Sequence, residues 1–449
     1  MTSSVFDSSY FCDSFGDPNV QKIFSDNGRY DSWLRVEVAL AKSQAKHGII
    51  PKLAADKISR IAKVSNLDTK KMTDEYLKIG FPILPLVNEL IRNTDSETAR
   101  WIHWGATTQD IVDTGLVLQM KESFEFIESY LDKIISLIQD LTLEHKDTIL
   151  AGRTFQQHAA PITLGFKMAV WLDELLRHKN RLPQIKKNGL VCQLGGAVGT
   201  LATLKDKGIE VLETLSDELN LEIPSISWHT SRDGWAEIIF WISLLASTLA
   251  KIANEVSILM RTEIGEIKEA HSKGKGGSST MPQKRNPVEC PIIISIGHRL
   301  QGSTMNQLNA MIQEHERGVS AMPLEWMTIP EAFILISGSL KRSIALLEGL
   351  QIDKKAMLKN LNLGGGNLMS EAVMMGLANK IGKKKAHNLI NDIADHSQRK
   401  NISLEQALLE SDKMLEYFDA GEIKELLNPL NYVGSSESMI KRVLSKLHD

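Results

Sequence analysis

LVLQMKESFEFIESYLDKIISLIQDLTLEHKDTIL, residues 116–150, contains neither proline nor glycine. Its apolar side chains at Leu118, Phe124, Ile127, Leu131, Ile134 and Ile138 recur at mostly three- or four-residue steps. That is the repeat of one helix face, not the alternation of a strand, and it predicts one long helix. The same pattern predicts further helices over about 162–182, 235–264, 292–316 and 331–347, all longer than the usual globular helix of about 11 or 12 residues. In the 235–264 helix, Ile239, Ile242, Leu245, Leu249 and Ile252 place apolar groups on more than one face, so several neighbours must cover it at once. The fold class that follows is all-α, with three domains. Residues 1–106 form an N-terminal domain of shorter amphipathic helices, 107–350 a central bundle of long helices, and 351–449 a helical cap broken at Gly364, Gly365 and Gly366. Polar, turn-rich separators are expected at 66–69, 187–189, 224–233 and 273–287.

Composition narrows the function classes. The chain has 449 residues, 43% hydrophobic and 24% charged, enough to bury large cores. A formal net charge of -3, without long Lys/Arg runs, gives no field for capturing a polyanion, so nucleic acid is not an expected partner. By eye, no stretch reaches the ~20 apolar residues of a membrane span, and the N-terminus lacks the basic and apolar regions of a signal peptide. A cytoplasmic location is expected. Cys12, Cys192 and Cys290 are widely spaced, with no CxxC or Cys/His cluster, and read as buried thiols rather than disulfides or metal ligands. No GxGxxG turn or βαβ alternation occurs, so neither cofactor nor metal is implied.

Three segments carry the chemistry. Residues 274–287, GKGGSSTMPQKRNP, place three glycines before two serines, and backbone N–H groups of such a loop can point at an anion. Lys284 and Arg285 add positive charge and Asn286 an amide. Residues 101–110, WIHWGATTQD, put the hydroxyls of Thr107 and Thr108 and the amide of Gln109 beside a helix N-terminus, where free N–H groups attract anions. Read alone, the second segment is equally a capping stretch closed by Thr108 or Asp110. Residues 151–159, AGRTFQQHA, offer Arg153, Thr154, Gln157 and His158, the last titrating near neutrality.

The run from Gly277 to Pro287 resembles the GSSxMPxKxNP motif of the fumarase/aspartase superfamily, matching at Gly277, Ser278, Ser279, Met281, Pro282, Lys284, Asn286 and Pro287. That resemblance implies that Ser278 is the catalytic base, that Lys284 and Asn286 bind a substrate carboxylate, and that Thr107 and Thr108 contact another. Ser279, Gln109, Arg153, Thr154 and Gln157 fall in the same matched regions and join them as substrate-binding candidates. The third segment resembles the superfamily's GRTHxQxA element, but Phe155 stands where many members carry a histidine that serves as general acid or its partner. His158 is the candidate left to move a proton. With the stretches WHTSRD at 228–233, QEHER at 313–317 and EW at 325–326, the chain is most similar to the bacterial 3-carboxy-cis,cis-muconate cycloisomerases. Arg232 and Arg317 in those stretches are candidate holders of carboxylate. The resemblance further implies a homotetramer with active sites shared between three subunits, and a small polycarboxylate substrate.

Removing a proton beside a carboxylate leaves an aci-carboxylate whose charge spreads over both oxygens, and fixed donors stabilise it best. In a cycloisomerase the bond made or broken beta to that carboxylate is an internal C–O bond, and a carboxylate leaves without needing an acid. A lyase that releases fumarate from adenylosuccinate or argininosuccinate must protonate a departing nitrogen, a task phenylalanine cannot perform. The C–N lyase stays the alternative, since argininosuccinate lyases often carry MPQK, as here at 281–284. A non-catalytic protein on the same scaffold would be expected to have lost Ser278, Lys284 or the glycines, and all are present.

Overall fold

The computed structural model describes residues 4–6, 8–270, 276–277, 280–281 and 283–447. The chain is mostly helical, and five of the long helices among the described residues are α1 (Thr108–Glu144), α2 (Leu164–Gly189), α3 (Asp233–Leu259), α4 (Glu289–Ala310) and α5 (Ala321–Glu348). Each matches an expected helix, with ends shifted. α1 begins at Thr108, eight residues before Leu116, because Ile111 and Val112, 1 and 3% exposed, extend its buried face past Gly115. Lys187–Gly189, expected as a separator, is instead the last turn of α2. Gly189 is there for packing: a Cβ would lie 2.4 Å from the Ile238 side chain.

Among the described residues, four short strands form two antiparallel pairs. β1 (Ile149–Thr154) pairs with β2 (Gln157–Thr163), and β3 (Ile267–Lys268) with β4 (Gln351–Ile352).

The chain divides into two compact units, one of residues 1–131, 178–249 and 292–342, the other of 132–177, 250–291 and 343–449. The N-terminal segment expected from sequence falls wholly in the first unit and the C-terminal cap wholly in the second, while the central segment is divided between them. In unit 1 the core is aromatic at its centre. Phe124 of α1 meets Phe333 of α5 edge-on at 5.2 Å and Trp241 of α3 at 5.9 Å, so these three helices meet at one point. Trp33, Leu34, Val36 and Leu40 of the helix Asp26–Lys46 are also buried in this unit.

α3 corrects the expectation that no stretch is of membrane-span length: by length and composition it could cross a bilayer. Yet 56% of its most apolar stretch is buried inside the protein. In unit 1 its polar atoms also find protein partners, the Trp241 indole donating to the His178 carbonyl and the Ser243 hydroxyl to that of Leu300. Its all-round apolar character is that of a core helix covered from several sides.

Unit 2 has a separate core built by the cap. Val373, Leu377, Ile390, Ile393, Leu404, Leu408 and Phe418 pack together, and the hairpin β1–β2 contributes Ile149 and Ala151 to a second cluster with Leu361, Leu368 and Ala372. Gly364, Gly365 and Gly366 all adopt left-handed backbone, with φ of 81, 68 and 84°. Three such residues in succession suit glycine alone, and the break read in the sequence falls between the helix Lys354–Leu361 and the short turn Asn367–Met369.

Candidate active site

In unit 1, the segment ahead of α1 is organised by one carboxylate. Asp110, three residues into the helix start, turns back to accept the Thr107 N–H at 2.9 Å, the return half of a capping box. It also accepts the N–H groups of Gly195 and Gly196, both at 2.9 Å, and lies 2.7 Å from His229 Nε2. A carboxylate only accepts, so Nε2 carries the proton of that bond. His229 Nδ1 then faces Ser227 Oγ at 3.2 Å. One buried side chain thereby joins three segments distant in sequence.

Arg317 lies on this joint. Its Nη1 donates to Thr107 Oγ1 at 3.0 Å and its Nη2 to the carbonyls of Gly196 and Ala197, which brings two expected site residues together. Its Nε is buried without a hydrogen-bond partner, an unused donor of the kind that functional sites keep. Thr108 is half-buried at the same helix start.

Two expected substrate contacts take other roles. Gln109 is 3% exposed, and its amide nitrogen donates to Asp113 and to the His229 carbonyl. Arg232 is sealed in the core. Its Nε and Nη2 donate to Glu325 at 3.0 and 2.7 Å, its Nη1 and Nη2 to Asp113 at 2.7 and 3.3 Å, and its guanidinium lies 4.0 Å from the Trp235 ring centre. Burial disfavours its charge, but the two carboxylates outweigh this and push its pKa above the ordinary arginine value. Such a group braces the site and does not reach a substrate.

His103 was quoted in the second segment without a role. Its Nδ1 lies 2.6 Å from Glu37, itself 2% exposed. Burial lowers its pKa, and Glu37 more than reverses this, so the ring holds its proton above the usual pH. Its φ of 58° is left-handed. Glu37 is 66 residues away, and no local pattern announces such a pair.

In unit 2, the GRTFQQHA segment is the β1–β2 hairpin rather than a lead-in to a helix. Arg153 and His158 face each other across it. Arg153 forms a two-pronged pair with Glu266, Nη2 to Oε1 at 2.6 Å and Nη1 to Oε2 at 3.0 Å, and Asn360 donates to the same carboxylate at 2.9 Å. Arg153 is thus oriented by a buried anion. Burial, and then the charge of Arg153, lower the His158 pKa against the opposing pull of Glu266, so His158 is a neutral imidazole at neutral pH. Thr154, Phe155, Gln156 and Gln157 are exposed at the tip. Phe155 is 101% exposed, and Phe155 and Gln156 both turn left-handed, with φ of 48 and 64°.

Lys284 and Asn286 line a cleft of about 870 Å³ in this unit. Ser278 and Ser279 lie outside the described residues. The segment that holds them is closed at its base, where the Asn286 N–H donates to the Gly276 carbonyl at 2.9 Å and Gly277 bridges to Arg285. Beside it, Glu269 caps α4: Oε2 accepts from Val288 and Glu289, and Oε1 from Cys290. Burial alone would raise the Glu269 pKa, but these N–H groups hold it below the ordinary carboxylate value.

Asp110→Asn tests the joint in unit 1. The amide keeps the shape but turns one acceptor into a donor among four N–H groups. It is expected to cost about 1–3 kcal/mol of stability, seen as an earlier urea midpoint, because buried donors lose partners.

The expected residues thus fall into two groups: Thr107, Thr108, Gln109, Arg232 and Arg317 in unit 1, and Arg153, Thr154, Gln157, His158, Lys284 and Asn286 in unit 2. The lyase family profile matches residues 15–302, and the profile of the adenylosuccinate lyase C-terminus matches 366–443. A 3-carboxy-cis,cis-muconate cycloisomerase of Pseudomonas aeruginosa is 38% identical over 96% of this chain and 94% of its own. Trans-aconitate decarboxylase 1 of Mycosarcoma maydis is 37% identical over 97% of this chain and 88% of its own. The crystal structure of 3-carboxy-cis,cis-muconate lactonizing enzyme from Pseudomonas putida superposes with a TM-score of 0.92 at 36% identity, covering 97% of this chain and 98% of that one. With one profile spanning well over half its length and relatives matching nearly end to end, the chain belongs to the lyase family of the fumarase/aspartase superfamily.

Proposed function

We propose that the protein is a cycloisomerase of the 3-carboxy-cis,cis-muconate type. A carboxylate of the substrate adds to a double bond beta to a second carboxylate, closing the lactone C–O bond and leaving an aci-carboxylate, whose alpha carbon then takes a proton from the Ser278 hydroxyl. In the reverse direction Ser278 takes that proton and the C–O bond breaks. Lys284 and Asn286 hold one substrate carboxylate; Thr107, Thr108 and Arg317 hold another. Ser279, Thr154 and Gln157 complete the polar wall, and Arg153 orients His158. A neutral His158 is able to accept a proton near pH 7.

The observation that carries this reading is Phe155. An exposed hydrocarbon ring stands at the place of the superfamily's proton-donating histidine, and a carboxylate leaving group is the kind that needs no proton. The named substrates of both relatives are unsaturated tricarboxylates, which supports a polycarboxylate substrate.

The working form is a homotetramer with each site completed by three subunits. Apolar side chains left exposed on the long helices of the single chain support this: Phe240 at 52%, Met305 at 60%, Leu308 at 48% and Met327 at 64%. Three unpaired cysteines are in keeping with a reducing cytoplasm.

The test is ultraviolet absorbance with 3-carboxy-cis,cis-muconate, trans-aconitate and adenylosuccinate offered separately. Loss of the conjugated signal with a lactone as product is expected for the first alone. Turnover of only one of the other two would overturn the cycloisomerase reading and keep the superfamily chemistry.

A further inference from the structure

The cleft that Lys284 and Asn286 line holds more positive charge than those two residues explain. Arg261, Lys268, Lys284 and Arg285 all face it, and none of the four makes an ion pair among the described residues. Four other basic groups of unit 2 are matched, Arg153 by Glu266, Lys167 by Glu255, Lys251 by Glu174 and Lys446 by Asp173. The one carboxylate in the cleft wall, Glu269, has both oxygens turned to the N-terminus of α4. Four like charges around a hollow of this size repel one another unless an anion enters.

Arg261 and Lys268 are not on the motif segment but on fixed backbone. The Arg261 carbonyl accepts the N–H groups of Ile264 and Gly265, which locks the turn after α3. Lys268 lies on β3, in register with Gln351 of β4, and is half-buried. Thr262, Gln283 and Gln351 add neutral donors to the same wall. A pair of cations carried on fixed backbone beside, but separate from, the motif's lysine and asparagine is suited to a second anionic group on one ligand.

We propose that Arg261 and Lys268 form a subsite for an additional carboxylate of the substrate, so that this cleft prefers tricarboxylates to dicarboxylates. The inference rests on the polycarboxylate reading above and deepens it by naming the residues that count the carboxylates. Because this carboxylate is not at the reacting carbon, its contacts act mainly on binding, and their loss raises KM more than it lowers kcat.

Titration calorimetry on the full chain uses propane-1,2,3-tricarboxylate and glutarate, non-reacting acids that differ by one carboxylate. The unaltered protein is expected to bind the tricarboxylate at least about 10-fold tighter. Arg261→Gln and Lys268→Gln are each expected to weaken tricarboxylate binding about 10- to 100-fold and glutarate hardly at all. Equal weakening of both acids, unchanged binding in both variants, or no preference in the unaltered protein would each overturn the subsite. If one variant does not fold, as judged by circular dichroism, the other carries the test. Turnover of 3-carboxy-cis,cis-muconate is followed in parallel. Its absence alongside an intact tricarboxylate preference overturns the proposed activity and leaves the subsite standing, whereas turnover with KM unmoved in both variants overturns the subsite alone.

Discussion

Arg232→Met is expected to destabilise the protein by about 3–5 kcal/mol, the cost of leaving buried charges without their partner. The side chains of Asp113 and Glu325 are each 1% exposed and that of Arg232 not at all. Methionine fills similar space between Trp228 and Trp235 but supplies no N–H, so two carboxylates must take up protons or drag in water. Part of the loss is also the guanidinium's contact with the two indole faces, at 4.9 and 4.0 Å. Urea unfolding of the full chain, followed by tryptophan fluorescence, reads the change. A triple variant that also replaces Asp113 and Glu325 with apolar residues of similar size should recover most of it, since a buried ionic cluster can be exchanged whole for packing. A loss below about 1 kcal/mol in the single variant, the scale of an exposed pair, would mean that the amides of Gln109 and Gln307, which donate to Asp113 and Glu325, suffice to hold the two carboxylates.

Ser278→Ala should lower turnover about 100- to 10,000-fold, the range of a positioned base, while secondary structure and assembly stay unchanged. The reasoning combines the motif with its anchorage. Gly276 is held to Asn286 and the start of α4 is fixed by Glu269, so losing one hydroxyl between them leaves the frame intact. Steady-state kinetics with sedimentation on the same samples separates lost chemistry from lost assembly. Turnover within tenfold of the unaltered protein would remove Ser278 from the role of base.

Helix content was legible because it is written locally. Phe124, Ile127, Leu131, Ile134 and Ile138 repeat within a few residues of one another, and all five are fully buried at 0%. The glycine break at 364–366 was legible for the same reason, since only glycine takes three left-handed steps in succession. The hairpin at 149–163 was missed: Phe155-Gln156 lacks the Asn-Gly or Asp-Gly usual in a two-residue turn, so no turn signal separates the strands.

The partners of charged residues were not legible. Arg232 looked like a carboxylate holder because its partners lie 119 and 93 residues away. Arg153 and Glu266 are 113 apart, and Asp110 and His229 are 119 apart. Whether an arginine serves a substrate or a buried neighbour is decided by tertiary folding, which sequence spacing does not record. For α3 the many-sided apolar pattern read in the sequence agrees with its burial, whereas its fitness in length and composition for a bilayer was overlooked.

The tip of the β1–β2 hairpin was not chosen for ease of turning. Two side-chain-bearing residues held left-handed cost of order 1 kcal/mol or more each, and a phenyl ring left wholly in water repays none of it. Asparagine followed by glycine would build the same bend at less cost. Placing asparagine and glycine at 155 and 156 is therefore expected to stabilise the isolated chain by about 1 kcal/mol or more, independently of what the tip does in the site proposed above.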